Sequence, residues 1–151
     1  MTPTVAEPRS KIPRISWAHT AFVTIGSTTA LAGTDAGEYT AAAVCLASFF
    51  AGFCIWVVAF AKALGRTTRG DDVAVANWVF LSGSAPDGVR RQLLGAALVV
   101  LVMTLIVTTA TPFVWLANLA PLGFAALWGA EHGTFPPRKV ARGGARGGSS
   151  G

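Results

Sequence analysis

Residues 92–132 read QLLGAALVVLVMTLIVTTATPFVWLANLAPLGFAALWGAEH, about forty positions without a Lys, Arg, Asp or Glu until Glu131. One bilayer crossing takes about 20 apolar residues, so the stretch is too long for one span and right for two. The break falls at Thr111-Pro112. A residue before proline resists helical geometry, and proline fits the first turn of the helix that follows. Arg90-Arg91 precede the pair and Arg138-Lys139 follow it. Positive residues favour the cytoplasmic side, so the stretch predicts a helical hairpin with cytoplasmic ends and its turn across the membrane.

The composition of the whole chain agrees. Of 151 residues 52% are hydrophobic and only 13% charged, about half the charged share of an average soluble protein. With lipid as solvent for most of its surface, such a chain is a single unit that a water-excluding core does not hold together. A net charge of +5 raises the question of nucleic acid. The basic residues, however, flank apolar segments as topology signals do, so the expected partner is the lipid bilayer and no nucleic acid is expected. Cys45 and Cys54 lie nine residues apart in one apolar segment, which on a helix separates them by about 13 Å on opposite faces. They cannot pair there and read as small apolar residues. No CxxC, HExxH or His cluster is present, so neither a metal nor a cofactor is expected.

Outward from the hairpin, residues 1–15 read as a disordered basic N-terminus, with Pro3, Pro8 and Pro13 opposing a regular helix. Residues 16–33 are Thr-rich and moderately apolar. They suit either a weak first span or a signal peptide cleaved after Ala30-Leu31-Ala32, and the uncleaved span keeps the basic segments on one side. The second span is expected over 40–64, carrying Phe49, Phe50, Phe53, Trp56 and Phe60 with interleaved Ala and Gly for close helix approach. Residues 65–91 form the one sizeable polar connection. Within it VAVANWVFL, residues 73–81, is too short to span and fits an interfacial helix or a lid on the bundle. Ser84-Ala85-Pro86-Asp87 matches a capping box, which starts the third helix (85–111) near Ala85. In the fourth helix, 113–131, Trp115 and Trp128 are spaced to sit at opposite membrane interfaces. Pro121 should bend that helix mid-span and free the Ala117 carbonyl, beside an Asn118 that reads as a helix-to-helix hydrogen bond. Residues 133–151, with two Arg-Gly-Gly units, read as a disordered basic tail attracted to anionic lipid.

The expected fold is therefore all-α and polytopic: a domain over 16–132 with four transmembrane helices as two hairpins. A short interfacial helix lies in the cytoplasmic loop, and both termini are cytoplasmic. All 12 Lys and Arg then fall on one side, the strongest topological signal in the chain. It places the protein in the inner or plasma membrane.

Two stretches, Phe80-Leu-Ser-Gly-Ser-Ala-Pro with Val89-Arg-Arg and Leu127-Trp-Gly-Ala-Glu-His-Gly-Thr-Phe-Pro-Pro-Arg138, resemble a family of small four-helix actinobacterial membrane proteins of unknown function. The resemblance covers roughly the second half of the chain and brings no catalytic residue with it. It implies that the loop before the third span and the segment after the fourth act as a pair at the cytoplasmic face.

The function expected from these features is non-catalytic: an accessory or assembly subunit of a larger respiratory or cell-envelope membrane complex. The interior of the spans is expected to hold no ionisable residue, with His19, Lys62 and Glu131 near ends, whereas substrate paths and proton relays need such groups. A small oligomeric transporter or channel is the alternative, and an enzyme using Glu131 and His132 comes third, since adjacent helix residues do not face each other. Trp78, Phe80, Arg90, Arg91, Glu131, His132 and Phe135 are the expected docking residues for other membrane subunits. Glu131 is expected to pair with Arg90 or Arg91.

Overall fold

The computed structural model describes residues 10–138. Five helices carry the chain: α1 (Ile12–Thr28), α2 (Asp35–Thr67), α3 (Val75–Trp78), α4 (Asp87–Val107) and α5 (Leu119–His132). Two 3₁₀ segments extend them, Thr29–Ala32 after α1 and Pro112–Asn118 leading into α5. The fold is all-helical among the described residues, and three helical stretches, Asp35–Thr67, Asp87–Val107 and Pro112–His132, are long and apolar enough to cross a membrane. The characters expected of residues 1–9 and 139–151 lie outside the described residues.

Several boundaries differ from expectation, each for a local reason. α1 begins at Ile12 because Pro13 occupies its first turn, where the missing N–H costs nothing. α2 begins five residues early: Thr34 takes the N-cap, its hydroxyl accepting from the Gly37 amide at 3.2 Å, with Asp35 and Glu38 in the first turn. The expected capping box is corrected. Pro86 is the N-cap of α4 and no side chain caps it, while Ser84 is buried and donates its hydroxyl to the Asn77 carbonyl. Pro121 is not mid-helix either. It falls in the first turn of α5, immediately after the 3₁₀ segment, and the Ala117 carbonyl accepts a long 3.5 Å bond from Ser48 Oγ.

The contacts fix the packing order. α2 and α5 run parallel in register: Gly52 meets Ala120, Trp56 meets Gly123, and Lys62 meets Glu131. α1 lies antiparallel to α2, with Gly26 against Val44 and His19 against Ser48, and alongside α4, where Trp17 approaches Gly95. α4 returns against α5, and Asn118 Nδ2 donates to Thr104 Oγ1 at 2.8 Å. That is the helix-to-helix bond expected of Asn118. α5 is the central helix: the Pro112–His132 stretch that ends in it is 61% buried along its most apolar part, against 22% for α2 and 28% for α4. Its Ala120, Gly123, Ala125, Ala126, Gly129 and Ala130 point in all directions, so neighbours can approach from every side. Trp128 is correspondingly buried in the core with Leu93 and Leu81. The outer faces of α1, α2 and α4 stay apolar and exposed at Phe22, Phe50, Phe53, Leu98 and Leu105.

Candidate functional site

This packing brings the start of α1, the end of α2, the start of α4 and the end of α5 to one end of the bundle. The described basic residues gather there, and Asp35 and Glu38 lie at the other end. The two polar stretches at the basic end, residues 66–86 and 133–138, are fastened together as a cap. Arg66 in the last turn of α2 is its hub. Its Nε donates to Asp71 Oδ2 at 2.8 Å and its Nη1 to the Gly133 carbonyl at 2.7 Å. The guanidinium also lies 4.6 Å from the centroid of the Phe135 ring, in cation–π range.

Backbone bonds continue the seam. The Asp72 amide donates to the Pro136 carbonyl at 2.8 Å, and the Arg138 amide to the Gly70 carbonyl at 2.7 Å, on either side of an antiparallel bridge between Asp71 and Pro137. The Thr134 amide donates to the Ser84 carbonyl at 3.0 Å. The first residues of the expected disordered tail are therefore packed, because their backbone groups find partners in the loop.

α3 closes the cap inward. Trp78 is only 8% exposed and its indole N–H donates to the Ala126 carbonyl of α5 at 2.8 Å. Its ring meets Trp56 edge-on at 5.7 Å between centroids. Of the two readings of this segment, the lid is the one seen. Gly129 permits it: a Cβ there would overlap the Trp78 carbonyl. Leu81, the only non-glycine described residue with positive φ (56°), is held in that conformation by complete burial.

The seven expected docking residues separate into groups. Trp78 is internal to the chain. Phe135 lies under Arg66. Glu131 and His132 line a shallow depression with Arg66, Arg69 and Asp71, while Arg90 and Arg91 line a different groove with Leu94 and Leu98. Phe80 is half-exposed over a third, apolar groove. The expected pairing of Glu131 with Arg90 or Arg91 is corrected: Glu131 Oε1 meets Lys62 Nζ of α2 at 3.0 Å, as the parallel register of α2 and α5 requires. His132 stacks on Trp128 at 5.3 Å, with its Nδ1 3.9 Å from Glu131 Oε2. Comparison with protein-family models, curated proteins and solved structures finds no match to this chain.

One group inside the bundle was missed by sequence reasoning. His19 lies about 10 Å along α1 from Ile12 and turns inward, Nε2 2.9 Å from Ser48 Oγ, its ring edge-on to Phe124. The interior thus holds an ionisable side chain, contrary to expectation. Ser16 and Thr20 line the same face of α1, buried and with no protein hydrogen-bond partner. The available signal was the four-residue spacing of Ser16, Thr20 and Thr24 around His19, a polar stripe on an otherwise apolar helix.

Proposed function

We propose that this chain is a non-catalytic integral membrane protein, an accessory or assembly subunit that works by packing against other subunits of a larger membrane complex. In this reading α1 with its 3₁₀ extension is a fourth span, the helices form two hairpins, and both termini are cytoplasmic. The segregation of basic residues to the capped end supports that orientation. The same orientation makes the inner or plasma membrane the setting of this reading.

The observation that carries the reading is the cap. Two separate chain segments are spent on fastening a rigid surface at the basic end, with Lys62, Arg69 and Glu131 exposed on it. The Lys62–Glu131 pair is half in water and stabilises the bundle little, so its charges are free to serve recognition. Trp78 and Phe135 act in this scheme by shaping the platform.

Co-purification in mild detergent tests the proposal. Other membrane subunits should be recovered with the wild-type chain in fixed ratio, be lost with Glu131→Lys or Arg69→Glu, and persist on truncation after Lys139. Loss on truncation alone would place the function in the basic tail and revive nucleic acid as a partner.

Topology has its own prediction. In a background lacking Cys45 and Cys54, Ala36→Cys should react with an impermeant thiol reagent on intact cells, and Ser82→Cys should not. The reverse pattern sinks the orientation.

His19 favours a second reading, a small oligomeric transporter or channel, since an ionisable group in a span is a common mark of a solute or proton path. Solute flux in liposomes that is lost with His19→Phe, without any co-purifying subunit, would favour it.

A further inference from the structure

One face of α4 is left uncovered by the rest of the fold, and its chemistry changes along its length. Asp87, Arg91, Leu94, Leu98 and Leu101 follow each other at three- and four-residue steps and so share a stripe, with Arg90 beside it. At the capped end Arg90 and Arg91 head a groove of about 490 Å³ that runs onto Leu94 and Leu98. The same two leucines wall a second groove of about 460 Å³, completed by Phe80 from the cap and Trp115 and Leu122 from the 112–132 stretch. The two form a continuous track, cationic at one end and apolar beyond.

Its dimensions are those of a lipid in one leaflet. From Arg91 to Leu101 the track runs about 15 Å along the helix, half of a hydrocarbon core about 30 Å thick. Leu98 is 60% exposed and Phe80 and Trp115 are each 50% exposed, so the chain itself does not fill it. The charge at its head is also unspent. Among the described residues the lysine and arginine side chains in ion pairs are Lys62 and Arg66, and Arg91 Nε meets only the Asp87 backbone carbonyl, at 3.4 Å.

We propose that this track is a binding site for one anionic phospholipid of the adjoining leaflet, with its phosphate on Arg90 and Arg91 and an acyl chain along Leu94, Leu98 and Leu101 against Trp115. Guanidinium groups match phosphate oxygens in planar, paired hydrogen bonds, which a zwitterionic headgroup offers without the net charge. Basic pockets between membrane helices favour acidic headgroups for this reason. The single carboxylate at the mouth, Asp87, lies in the first turn of α4, where the helix dipole offsets part of its charge. The assignment of leaflet rests on the four-span orientation proposed above; the site itself does not.

The test is native mass spectrometry of the full-length protein in detergent, with phosphatidylglycerol and phosphatidylcholine of identical chains added in competition. The wild type should retain one phosphatidylglycerol in preference to phosphatidylcholine. Arg90→Gln with Arg91→Gln should lower that preference on the order of tenfold, the scale of lost charge-assisted contacts. Arg14→Gln with Arg138→Gln removes the same net charge elsewhere and should leave it intact. Leu98→Trp, which fills the track but spares the arginines, should abolish retention while circular dichroism shows the helices unchanged. Equal retention of both lipids, equal loss in the two double variants, or a dimer that forms through this face without lipid would each overturn the proposal. Because the readout does not depend on orientation, a failed thiol-labelling result leaves it standing, and a failed lipid result leaves the topology standing.

Discussion

Gly52→Ala is expected to loosen the whole bundle, and Gly52→Val to prevent its stable assembly. A Cβ at residue 52 would stand 2.7 Å from the Ala120 nitrogen and 2.8 Å from its Cα. Those are backbone atoms of the central helix and cannot rotate aside. α2 and α5 must therefore separate along their full parallel contact, which pulls at the Trp56 Nε1 bond to the Leu119 carbonyl (3.0 Å) and at the Ser48 contacts with His19 and Ala117. In lipid no hydrophobic gain drives helices together, so close approach through small residues supplies much of what holds them. Overpacking at such a site should cost about 2 kcal/mol for alanine and about 3 kcal/mol or more for valine. Gly65→Ala is the control, since a Cβ there meets nothing within 4 Å and alanine is the better helix former. Thermal unfolding in detergent should fall steeply for the two residue-52 variants and stay level or rise for Gly65→Ala. Equal melting of Gly52→Ala and Gly65→Ala would contradict the packing of α2 on α5.

The helices themselves were legible because apolar runs, Pro112 and the flanking arginines are local signals. The pairing of the loop with the segment after α5 rests on the resemblance alone, whereas Asn118 is legible as a polar side chain that inside a helix bundle has nowhere to go but another helix. Which helix sits at the centre was harder. Lipid and a protein interior are equally apolar, so hydropathy ranks α2 above the more buried Pro112–His132 stretch. The density of Ala and Gly on α5 was the better guide. The segment around Trp78 admits two readings for the same reason: a short apolar segment looks alike whether it faces lipid or its own bundle. His19 was misjudged through a boundary. Starting α1 at Ile12 instead of Ser16 moves it a full turn deeper, and Pro13, a helix breaker elsewhere, is what the first turn accommodates. Ser84 shows the limit of motif reading, since its hydroxyl had a buried carbonyl nearer than the helix amides.

Arg66→Met should release the cap while leaving the spans in place. Methionine keeps much of the side-chain bulk but removes the polar side-chain contacts of the hub at once: the Asp71 ion pair, the Gly133 and Ala130 carbonyl bonds and the stacking on Phe135. The Arg66 side chain is 19% exposed and that of Asp71 31%, so water will compensate part of the loss. Bonds to a charged group at such depth leave an expected cost of about 2 kcal/mol. That is enough to open a local unit whose own stability is low, without unfolding a bundle held by α2 and α5. Hydrogen exchange reads it directly: the amides of Asp72 and Arg138, bonded across the seam, should lose protection together, while those in the middle of α4 and α5 keep theirs. Arg66→Lys should rescue only partly, because one ammonium cannot reproduce the planar fork that holds Asp71 and Gly133 at the same time. If exchange rises on one side of the seam alone, or on neither, the two segments are not a single unit. The same variant then separates platform from charge: partner recovery should fall with Arg66→Met although Lys62, Arg69 and Glu131 are all present, since a docking surface needs its charges held in place as well as supplied.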